Sequence, residues 1–88
     1  MKGLTAEQLL AVADEFCSAT GVRVRSFSAL CAAAAVPGAR VHGVAVFDSP
    51  GAAADALHSA VVALAPLTGS NEGFAHVARH VYLDWLEM

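Results

Sequence analysis

The sequence predicts an all-α fold, a small bundle of about four helices with a short β-like flap between the second and third. Three observations carry this. The chain has 88 residues, room for a single domain, 1–88, with a modest core. Its hydrophobic fraction is 57%, and much of that is alanine, which adds little buried area and favours helix. Helix start and stop signals recur along the chain, whereas β-branched alternation is confined to one short segment.

The first helix is predicted from about Ala6 to Ala19. Thr5-Ala6-Glu7-Gln8 has the form of a capping box, and Leu4 and Leu9 stand at the positions of a hydrophobic staple. Leu9, Leu10, Ala13, Phe16 and Cys17 are its expected inward face, and Thr20-Gly21 ends it. Val22-Arg23-Val24-Arg25 alternates briefly and reads as extended chain. Ser26 or Ser28 can cap a second helix that runs through Ala35, where Val36-Pro37-Gly38 stops it. Arg40 to Phe47 is β-branched around Gly43, the pattern of a short strand or small hairpin. Ser49 as N-cap and Pro50 at the first helical position open a third helix to about Leu64, with Leu57, Val61 and Leu64 on one side. After the loop Ala65-Pro66-Leu67-Thr68-Gly69-Ser70-Asn71, a fourth helix is expected from about Glu72 to Leu86. Phe74, Val77, Val81 and Trp85 are its expected inward residues. No internal repeat is visible.

Composition narrows the function classes. No apolar run reaches the roughly 18 residues of a spanning helix. The start, Met1-Lys2-Gly3-Leu4-Thr5, turns polar at once, unlike a signal peptide. A cytoplasmic protein without a membrane partner is the expectation. The net charge is −3, and the five Lys and Arg are scattered, so no basic stripe is present to displace counterions and no nucleic acid partner is expected. The two cysteines, Cys17 and Cys31, are too few for a disulfide scaffold and read as free thiols.

Taken in order, these pieces resemble the Doc, or death-on-curing, branch of the Fic family. Leu4-Thr5-Ala6-Glu7-Gln8-Leu9-Leu10-Ala11-Val12 is similar to that branch's first helix. Arg25-Ser26-Phe27-Ser28-Ala29-Leu30 with its alanine run is similar to the second. The segment from Arg40 to Asp48 falls where the family carries its flap. Ala54-Asp55-Ala56-Leu57-His58-Ser59 looks like the helix that leads into the catalytic loop, and Val81-Tyr82-Leu83 falls in a similar apolar run of the next. The similarity spans nearly the whole chain and rests on order and texture more than on rare residues.

The resemblance implies transfer of a phosphate or nucleotidyl group from a nucleotide to a protein hydroxyl. The family signature is His-Pro-Phe, an acid, Gly, Asn, Lys or Gly, and Arg. Aligned on Pro66 and Asn71, this chain has Ala65 for the histidine, Leu67 for Phe, Gly69 for the acid, Ser70 for Gly, Glu72 for the basic position and Gly73 for Arg. A register shifted by one residue instead places Leu64, Thr68 and Glu72 at the histidine, acid and arginine positions. Either way the general base, the Mg²⁺ carboxylate and the phosphate-binding cations are lost. Glu72 also places a negative charge in the first turn of the fourth helix, where it opposes an arriving phosphate. Gly69, Ser70, Asn71 and Gly73 are therefore expected to form a vestigial phosphate loop, serving as a helix connection capped by Ser70 or Asn71. No catalytic residue and no cofactor are expected.

Other residues do not replace the lost ones. His76, His80 and Asp84 share a helix face at metal-capable spacing, but they stand beside Arg79 without a complete ligand set, so no metal is expected. His58 has no paired nucleophile and reads as a partly buried, hydrogen-bonded histidine.

Two features are left for binding. In the family the flap pairs with a target segment as an added strand, which needs no catalytic side chain. Arg40, His42, Val44, Val46 and Phe47 are the corresponding candidates here. The alternative for this segment is a surface loop with Val44, Val46 or Phe47 tucked into the core. Relatives of this type continue past the fourth helix, so Trp85 and Leu86 are expected interface residues for a protein partner or a homodimer. The expected function is a catalytically degenerate Doc-like accessory or regulatory subunit, with toxin–antitoxin ancestry. The alternatives are an active transferase toxin and a small-molecule-binding accessory using a vacated cleft near Ala65 and Leu67.

Overall fold

The computed structural model describes residues 2–87. It contains α1 (Ala6–Thr20), α2 (Phe27–Ala35), a two-stranded hairpin of β1 (Arg40–Val41) and β2 (Val44–Ala45), α3 (Pro50–Leu64) and α4 (Asn71–Leu86). The all-α expectation holds, with the flap in its predicted place. The helices close a ring: α1 packs on α2, α2 on α3, α3 on α4, and α4 on α1, with the α3–α4 pairing the most extensive.

Local chemistry sets the boundaries. The capping box is complete: the Gln8 amide donates to Thr5 Oγ1 at 3.0 Å, and the Thr5 amide donates to Gln8 Oε1 at 2.9 Å. Gly21 ends α1 at φ 82°, a left-handed conformation that glycine adopts without Cβ strain. Ser26 and Ser49 cap α2 and α3, accepting from the amides of Ala29 and Ala52.

The core joins Leu9 and Ala13 of α1, Leu30, Ala33 and Ala34 of α2, Ala53, Ala54, Leu57 and Val61 of α3, Leu67, and four residues of α4. Those four are Phe74, Ala75, Ala78 and Tyr82. The inward face of α4 thus differs from the expected one. Phe74 is buried, but Val77 is 38% exposed, and Val81 and Trp85 are half-buried along a groove against α1. Small side chains at 75 and 78 let α4 lie close on the alanine-rich α3, which turns the larger valines toward the groove. Leu64, expected inward, is 37% exposed at the last turn of α3.

Candidate functional site

The loop between α3 and α4 is built around backbone groups. Val24 pairs with Leu67 in an isolated antiparallel bridge, so the α1–α2 connection lies alongside the loop. The Thr68 amide donates to the Arg23 carbonyl at 2.8 Å, and the Arg23 amide returns a bond to Thr68 Oγ1 at 3.0 Å. The Pro66 carbonyl accepts from the amides of Arg25 at 2.7 Å and Ser26 at 3.1 Å. The Arg25 side chain crosses over: Nε donates to the Ala65 carbonyl at 2.9 Å and Nη2 to the Leu64 carbonyl at 3.0 Å. A cation at the end of α3 suits both the orphan carbonyls and the negative pole of the helix.

The four residues expected to form a vestigial loop have separate roles. Asn71 turns back on the loop, its Oδ1 accepting from the Leu67 amide at 2.9 Å and its Nδ2 donating to the Leu67 carbonyl at 3.1 Å. Ser70 occupies the N-cap position of α4 with φ 55° and makes no side-chain capping bond. The expected cap by Ser70 or Asn71 is therefore replaced by an Asn71–Leu67 ring, because left-handed Ser70 does not have the extended backbone a capping side chain requires. Gly69 sits beside Val22; a Cβ there would lie 3.7 Å from Val22 Cγ1. Gly73 faces α1, where a Cβ would stand 3.3 Å from Phe16 Cζ. Phe16 also packs on Phe74, with ring centroids 5.7 Å apart.

Leu67, expected beside a vacated cleft, is itself part of the core. Leu67 is 1% exposed and Pro66 is buried. An open groove of about 590 Å³ is lined by His58, Ser59, Val62, Ala63, Glu72 and His76. His58 is partly buried, as expected, but its buried Nδ1 has no hydrogen-bond partner among the described residues.

The flap is a tight hairpin with Arg40 opposite Ala45 and Val41 opposite Val44. His42 at φ 51° and Gly43 at φ 80° form its two-residue turn, both residues left-handed as a type I′ turn requires. Arg40 Nη1 donates to the Gly43 carbonyl at 2.9 Å, and the Val46 amide donates to the Ala39 carbonyl at 2.9 Å. Val44 and Val46 are exposed at 69% and 50%, so neither is tucked inward; Phe47 is half-buried and packs on the core. Trp85 and Leu86 are half-buried. They line a small crevice with Lys2, Gly3, Leu4, Gln8 and Tyr82, and the Tyr82 hydroxyl donates to the Lys2 carbonyl. The flap and the Trp85–Leu86 patch lie outside the residues that build the loop.

Sequence reasoning missed Arg25 and Thr68, which hold the loop. The one available signal was the Val22–Val24 alternation, which marks extended chain but not its partner. No helix among the described residues is long and apolar enough to cross a membrane. Comparison of the chain with family models, with curated proteins and with solved structures gives no match.

Proposed function

We propose that the chain is a protein-binding module on a degenerate Doc-like scaffold, an accessory or regulatory subunit that engages its partner through the flap. One observation carries the reading. The hairpin presents Val41, Val44 and Val46, three of the seven exposed large hydrophobic residues among the described ones, on a sheet of only two strands. A short two-stranded edge bearing apolar side chains is suited to accept a further strand, with backbone bonds for affinity and side chains for selection. The loop supports the same reading from the other direction. Its Asn71 amide, Pro66 carbonyl and Thr68 amide and hydroxyl are engaged within the chain. Left-handed backbone at Ser70, where the family signature has glycine, supports the Doc-like register.

The test compares what co-purifies with the native chain and with Val44→Asp/Val46→Asp, two changes at exposed positions that leave the core intact. The reading expects a stoichiometric protein partner that the double variant loses. It is overturned if the partner is retained by the variant, or if the chain with Mg²⁺ and labelled ATP or UTP transfers label to any protein in a cell extract.

A further inference from the structure

The outer face of α4 carries Glu72, His76, His80 and Asp84, one residue every four, and all four are exposed. The His76 and His80 rings stand edge to face, with centroids 4.6 Å apart and planes at 72°. Among the described residues these imidazoles make no hydrogen bond or ion pair, only this ring contact. Arg79, the cation next to them in sequence, is held away by its Nε bond to Asp55 Oδ1 of α3 at 2.9 Å.

We infer that His76 and His80 form half of a zinc-type site that a second copy of this chain completes. The helix itself sets the number of ligands. Residues four apart are separated by about 6 Å along the axis and residues eight apart by about 12 Å. Two neighbours on the stripe can share one ion, and Glu72 or Asp84 cannot join both histidines around it. Consistent with this, no group of three or more His, Cys, Asp or Glu among the described residues can hold a metal. Imidazole nitrogens suit Zn²⁺, whose structural sites are tetrahedral with four protein ligands. An i, i+4 pair supplies two, and the same pair from a copy related by a two-fold axis supplies the others, which is the self-complementary pattern of an isologous interface. Apolar surface flanks the pair: Val77 is the next residue, and Val62 shares the groove of His76, each 38% exposed. A second copy brought to the metal covers these valines, which water ligands would leave bare. This inference is independent of the flap.

The experiment uses the untagged full chain, with zinc stoichiometry read by equilibrium dialysis and mass by sedimentation velocity. The expected result is about one zinc per two chains, with the mass doubling relative to the metal-free chain. Both effects should vanish in His76→Ala and in His80→Ala and persist in His42→Ala. Unchanged thermal melting of the variants without metal shows that they remain folded. One zinc per chain at constant mass, no zinc binding, or doubling that survives His80→Ala overturns the inference.

Discussion

Asn71 and Leu67 form a closed ring of two hydrogen bonds, amide to Oδ1 at 2.9 Å and Nδ2 to carbonyl at 3.1 Å. The ring sits where the resemblance places a nucleotide loop, and it fixes the first turn of α4 to a residue of the core. Leu67 is 1% exposed, so water cannot readily replace either bond.

Asn71→Ala therefore leaves one donor and one acceptor of Leu67 unsatisfied. We expect a loss of about 2 kcal/mol, which lowers the melting temperature by roughly 10 °C in a domain of this size. Asn71→Asp keeps the acceptor and loses the donor, so it should fall between the two. Equilibrium denaturation measures both. A melting temperature unchanged in Asn71→Ala would remove the ring from the account.

Arg25 tests the second half of the clamp. Its two bonds reach the carbonyls of Leu64 and Ala65 from the α1–α2 connection. Arg25→Ala should cost about 1 kcal/mol, because the side chain is exposed and water partly replaces it. Arg25→Lys should recover about half of that, since an ammonium lacks the planar fork that meets two carbonyls at once. Hydrogen exchange localises the effect: the Ala65 amide, which donates to the Val61 carbonyl at 3.0 Å, should lose protection first.

Stability should fall on the alkaline side. Burial pushes the Cys17 thiol above its ordinary value of 9.0, and the Asp14 carboxylate adds to the shift. Burial likewise pushes the Tyr82 hydroxyl above 10.0. Each group holds its proton more tightly in the folded chain, so its contribution is complete below the ordinary value. It is lost as pH rises through the folded value. Denaturation midpoints should be flat from pH 7 to about 8.5 and decline above that. Cys17→Ser should flatten the start of the decline and Tyr82→Phe its later part. A midpoint that stays level to pH 11 contradicts the burial of both groups.

Helix starts were legible in the sequence because their chemistry is local. Thr5 with Gln8, Ser26, and Ser49 with Pro50 act within four residues, and the structure places α1, α2 and α3 where those signals stand. The hairpin was legible from Gly43 and the valines around it. The inward face of α4 was not: the buried face is Phe74, Ala75, Ala78 and Tyr82 rather than the Phe74, Val77, Val81 and Trp85 stripe, and the smallness of Ala75 and Ala78, which permits close approach to α3, matters only once a partner helix is in place. The clamp was illegible for another reason. Each of its bonds between residues 23–26 and 64–68 has a backbone group on at least one side, and the two side chains that take part, Arg25 and Thr68, meet only backbone atoms. Backbone groups are the same in every sequence, so only the assembled fold reveals the pairing.

The most direct test of the loop's role is a nuclear magnetic resonance titration of the ¹⁵N-labelled chain with Mg²⁺ and ATP into the millimolar range. If residues 65–73 are committed to joining α3, α4 and the α1–α2 connection, the amides of Leu67, Thr68, Gly69, Ser70 and Asn71 should keep their positions throughout. Saturable shifts confined to residues 69–73 would show a nucleotide held by this loop and would contradict that role.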